Sequence, residues 1–97
     1  MANGKRAMAS MNRKCAKAMG LTKDAARLFN PLHHDADAMA LVKRFHLVIT
    51  PIHYPGQGIL WTVCRYNGDW RGEDMTLNIA IARCVNSQPS TTVKNKT

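Results

Sequence analysis

Two segments in opposite halves of the chain share one pattern, and that pattern limits the fold most. Phe29-Asn-Pro-Leu-His-His-Asp-Ala-Asp-Ala-Met-Ala-Leu41 and Gly72-Glu-Asp-Met-Thr-Leu-Asn-Ile-Ala-Ile-Ala-Arg-Cys-Val85 each open on polar residues and run into an apolar stripe of helical period. Between them lie two β-branched runs separated by the turn Tyr54-Pro-Gly-Gln-Gly58. Helix, strand, strand, helix predicts a small α/β (α+β) sandwich, with helices packed on a short antiparallel hairpin or sheet. At 97 residues there is room for one domain with a small core. The expected anchors are Phe29, Leu32, Leu41, Phe45, Leu47, Ile49, Trp61, Val63, Leu77 and Ile81.

The local signals divide the chain into three stretches. Residues 1–26 read as a basic, amphipathic helical extension. Met8, Met11, Cys15 and Met19 share one face there, and Gly20 stops the first helix. Thr22 caps a short second helix that Pro31 ends. Residues 27–86 read as the α-β-β-α domain. A helix over 35–45 carries Asp35 and Asp37 in its first turn and Lys43 and Arg44 in its last. Strands are expected over 46–52 and 59–66, with Pro51 blunting the first as an edge. Asn67 to Gly72 reads as a loop with an exposed Trp70, and Glu73 and Asp74 as the acidic start of the last helix. Residues 87–97 read as a disordered polar tail.

Charge is the strongest functional signal. The net charge is +8, from 14 Lys+Arg against 6 Asp+Glu. Lys5, Arg6, Arg13, Lys14, Lys17, Lys23 and Arg27 are opposed before position 28 only by Asp24. Such a field favours nucleic acid or an acidic protein partner. Cys15, Cys64 and Cys84 are widely spaced and form no CxxC, which suits reduced thiols in a cytoplasmic protein. No apolar stretch is long enough to span a bilayer, and the basic start leads into no secretory h-region.

The Phe29-Asn-Pro-Leu-x-x-Asp-Ala-Asp-Ala block, a hairpin with a central Trp61, and the closing Asn78-Ile-Ala-Ile-Ala-Arg83 helix resemble the phage ABA sandwich domain. That family consists of small proteins from tailed phages and prophages, and the resemblance covers about residues 27–86. Phe29 stands where Trp is commoner, His33-His34 is an unusual pair, and the basic front helix is extra. The resemblance implies a compact α/β domain and a phage origin. It implies no catalytic residues. The motif also has a structural reading: Asn30-Pro31 sets a turn, Leu32 packs and Asp35 caps the helix.

No catalytic, cofactor or metal site is expected. His33, His34, Asp35 and Asp37 are ligand types, but adjacent histidines diverge and His46, His53 and Cys64 supply no closing pair. No Ser, His and Asp are brought together by context, and Gly56-Gln-Gly58 lacks the setting of a phosphate cradle. The expected function is therefore binding, by a non-enzymatic phage or prophage accessory protein. Its partner would be a host protein or protein–nucleic-acid complex, including defence machinery of the anti-CRISPR kind. One alternative is a nucleic-acid-binding regulator using the basic residues above in a helix-turn-helix-like segment. Another is self-association in a virion, through the edge strand. Tyr54, Tyr66, Trp70, Arg65 and Arg71 are the candidate partner-binding side chains at the hairpin ends.

Overall fold

The structure, a computed structural model, describes residues 2–66 and 68–88, with side chains from Met8 onward. Helices α1 (Ala2–Ala18), α2 (Lys23–Leu28) and α3 (Asp35–Phe45) precede strands β1 (Leu47–Tyr54), β2 (Gly58–Arg65) and β3 (Arg71–Asp74), and α4 (Leu77–Asn86) follows. The strands form one antiparallel sheet in the order β1-β2-β3, and helices cover one of its faces. The expected α+β sandwich is the fold of this chain.

Each element follows from its residues. Gly20 takes the left-handed conformation (φ 73°) that turns the chain out of α1. Thr22 Oγ1 accepts the Ala25 N–H at 3.2 Å, capping α2. The register pairs Leu47 with Arg65, Ile49 with Val63 and Pro51 with Trp61. Residues paired across strands share a face, so Leu47, Ile49, Trp61 and Val63 look toward the helices. Val48, Thr50, Ile52, Tyr54, Leu60, Thr62 and Cys64 form the opposite face.

The core joins Leu32, Ala38, Leu41, Leu47, Val63, Ile81 and Val85. Burying side chains such as Leu41 and Ile81 contributes about 1.5–3 kcal/mol each. Phe29, Phe45, Ile49, Trp61 and Leu77 pack on it partly buried. α1 is an integral part of this core, since Cys15 is buried in it and its thiol reaches Ala82 O of α4. Asn86 clamps the two helices, its Nδ2 donating to Ala82 O (2.8 Å), Met11 O (3.3 Å) and Cys15 Sγ (3.4 Å).

Four expectations are corrected. Glu73 and Asp74 do not begin the last helix; they lie in β3, an unforeseen strand, and α4 starts at Leu77. Gly72 explains why this polar segment is a strand. A Cβ there would lie 2.3 Å from Cys84 N and 2.4 Å from Ala80 O, so only glycine lets α4 lie against the sheet. Trp70 is 6% exposed rather than open, its ring 5.1 Å from that of Phe45 and covered by Arg65. Asp35 does not cap α3. His34 occupies the N-cap, and Asp35 accepts from Asn78 Nδ2 of α4 at 2.9 Å. Of the expected tail, Ser87 is tied in: its hydroxyl accepts Arg71 N–H (3.0 Å) and donates to Cys84 O (2.6 Å). Residues 89–97 lie outside the described residues.

Candidate nucleic-acid interface

The acids of this chain are all engaged. Asp69 pairs with Arg65 (3.6 Å), Glu73 with Arg71 (2.7 Å) and Asp74 with Arg83 (3.5 Å), which neutralises the arginines of the sheet and α4. Asp37 accepts Asn30 N–H at 2.8 Å and lies 3.5 Å from His34 Nδ1. Asp24 meets Arg27 at 3.8 Å with both side chains in solvent, a contact worth little. Among the described residues, Arg13, Lys14, Lys17 and Lys23 on the first two helices, and Lys43 and Arg44 at the end of α3, form no ion pair.

The cations of α1 and α2 divide between two grooves. Arg13, Lys23 and Arg27 rim a groove of about 490 Å³ between α1 and α2, whose lining includes Phe29, Asn12 and Asn30. Lys17 lies one helical turn beyond Arg13 and extends that face. Lys14 lies in the α1–α4 groove beside Arg83, Asn86 and Ser87. Lys5 and Arg6 fall outside the described side chains.

The floor of the α1–α2 groove is fixed by a hydrogen-bonded chain that starts at the backbone. Leu32 N–H donates to Asn12 Oδ1 (3.4 Å), so Asn12 Nδ2 must be the donor to Asn30 Oδ1 (2.8 Å). His33 Nδ1 lies 3.2 Å from the same oxygen. Asn30, which lines the groove, is thereby left with an amide nitrogen that has no protein partner among the described residues. The Asn30-Pro31 motif thus joins α1 to α3 as well as setting a turn. Neither Asn12, Asn30 nor Phe29 was foreseen as a site residue. Asn12 carried a signal, because Asn in a helix interior is a poor helix former and needs another reason to be there.

The aromatic set does not form one site. Tyr54 and Tyr66 lie at opposite ends of the hairpin, Tyr66 being 83% exposed. Arg65 lies 4.5 Å from the Trp70 ring centre and is shared with Asp69. Arg71 is on the open sheet face, where its hydrogen bond holds the Glu73 carboxyl below its ordinary range and raises its own pKa. A third cleft, about 400 Å³, is lined by Phe45, His46, Arg65 and Tyr66, and its arginine is already engaged.

The thiols are packing groups. Burial pushes Cys15 up to about 12 against the opposing hydrogen bond from Asn86, and pushes Cys84 up to about 12 as well. Neither is a thiolate near neutrality, so neither is a ready nucleophile. Among the described residues no three His, Cys, Asp or Glu side chains converge as a metal site, and no helix is long and apolar enough to cross a membrane. Comparison with family models, with curated proteins and with solved structures finds no match.

Proposed function

We propose that this chain is a non-enzymatic binding protein that grips the phosphate backbone of nucleic acid with the α1–α2 face. The carrying observation is the gathering of cations at one groove, which Lys43 and Arg44 at the end of α3, also without ion pairs, do not line. The acids cancel the arginines of the sheet and α4, while Arg13, Lys17 and Lys23 stand unpaired beside a weakly held Arg27. Specific reading of a duplex is disfavoured, because α2 has six residues and is too short to serve as a recognition helix in a major groove. Backbone contact needs no such helix.

Fluorescence anisotropy with a labelled oligonucleotide tests this reading. Four phosphate contacts give a slope of log affinity against log salt of roughly −3 to −4. Replacing Arg13, Lys17, Lys23 and Arg27 together with Gln should remove most of that slope. Binding that ignores salt, or survives the fourfold variant, would sink the proposal.

A second reading rests on the other side of the molecule. Val48 (43% exposed), Tyr54 (45% exposed), Ile52 and Leu60 leave an apolar patch on the uncovered sheet face. That patch suits a phage accessory protein capturing a host protein, including an inhibitor of host defence. It equally suits a self-associating assembly protein. Both readings place the chain in the cytoplasm of a bacterial host. A Val48→Lys, Leu60→Lys double variant that still recovers the same lysate partner, or the same concentration-dependent mass, would remove this face from consideration.

A further inference from the structure

We propose that the α1–α2 groove is a subsite for one unstacked nucleotide of a single-stranded nucleic acid. The base lies against Phe29 and takes a hydrogen bond from the Asn30 amide nitrogen, and Arg13, Lys23 and Arg27 hold the flanking phosphates. The inference rests on the backbone-gripping reading above and adds to it the form of the strand.

Three observations lead there. First, the groove has an apolar aromatic in its lining and cations at its rim. A duplex stacks its bases inside and offers only phosphates to such a surface, which leaves the aromatic unused. An unstacked strand uses both, because every base has a face to lay on a ring. Second, Asn30 is an oriented donor. The bonds from Leu32 N–H through Asn12 hold its oxygen, so its amide hydrogens have no protein acceptor among the described residues and are available to what enters the groove it lines. A base carbonyl or ring nitrogen is the matching acceptor. Third, the carboxylate nearest this floor, Asp37, is occupied by Asn30 N–H and His34, so it does not answer the rim cations.

The test is anisotropy of the full chain with a short oligothymidine, a duplex of equal length, and thymidine monophosphate as competitor. The single strand should bind about tenfold or more tighter than the duplex, as expected for one stacked base. Phe29→Leu keeps an apolar side chain at the core but removes the stacking face. It should cut single-strand affinity about tenfold and leave the duplex unchanged. Asn30→Asp keeps both acceptor roles toward Asn12 and His33 and removes the donor, so it should cost the single strand more than the duplex.

Equal affinity for the two forms, or single-strand binding that is unmoved by Phe29→Leu, overturns the subsite while leaving the backbone-gripping reading in place. Competition by the mononucleotide as effective as that of the oligomer overturns the strand assignment in favour of a free-nucleotide pocket. Failure to bind either nucleic acid overturns both.

Discussion

The two sides of this molecule use charge in opposite ways. On the sheet and α4, Arg65, Arg71 and Arg83 each face an acid of their own, at 3.6, 2.7 and 3.5 Å. On α1 and α2 the cations have Asp24 alone among them, at 3.8 Å from Arg27. A net charge of +8 spread evenly would say little about where a partner sits. Gathered on α1 and α2, it separates cations already answered by an acid from cations available to something else. The contrast predicts that substitutions on the sheet side change stability and those on the helix side change binding.

The largest effect should come from the sheet side, at a residue without charge. Gly72→Ala places a methyl within 2.3 Å of the α4 backbone, and neither the strand nor the helix can yield cheaply. A loss of about 3 kcal/mol or more is expected, read as a drop in the denaturant midpoint. Retention of full stability would show that α4 is not held against the strand.

On the helix side, neutralising Arg13, Lys17 and Lys23 should leave the melting temperature unchanged or raise it, because like charges are removed and no ion pair is lost. Raising salt from 50 to 200 mM should weaken single-strand binding by the wild type roughly 50-fold, the value for four contacts. A variant that melts earlier would show that these cations are structural, and the contrast would collapse.

Between the two sides lies Cys15. Its folded pKa, about 12, is above the unfolded thiol value of ~8.5. The stability it contributes is therefore complete below that unfolded value and is lost as pH rises toward the folded one. Melting followed from neutral pH upward should show an alkaline decline that Cys15→Ala makes shallower. Cys84 follows the same sign and keeps part of the decline. His46 ends α3 in the left-handed conformation at φ 54°, ψ 54°, so His46→Gly should stabilise by about 0.5–1 kcal/mol. The smallest effect belongs to the exposed Arg71–Glu73 pair. Glu73→Gln should cost little near neutrality, and that cost should vanish as pH falls through the lowered carboxyl pKa of the wild type.

What the sequence discloses depends on how local the cause is. The ends of α3 are legible because acids and bases mark them at Asp35, Asp37, Lys43 and Arg44. The hairpin is legible from its alternation and its glycines. β3 is not, since Arg-Gly-Glu-Asp has no β-branched residue and its reason for being a strand is the close approach of Gly72 to Ala80, Arg83 and Cys84 in the following helix. A glycine between charged residues was the available clue. Trp70 misleads for the same reason: its neighbours Asp69 and Arg71 are polar, while the ring it packs on belongs to Phe45. The basic residues of the interface are legible by type. Their convergence with Asn12, Phe29 and Asn30 is not, because it depends on how α1 and α2 cross.

The seat of α1 has a consequence for kinetics. The helix rests on α4 at Cys15, a small side chain hydrogen-bonded to Ala82 and Asn86, and the Cys15 sulfur is fully covered. While the helix is seated, the thiol is both sheltered and protonated, so an alkylating reagent reaches it only in molecules whose basic helix has lifted. The labelling rate of this one cysteine is therefore a clock that counts those excursions, and a strand bound across α1 and α2 would make the clock run slow.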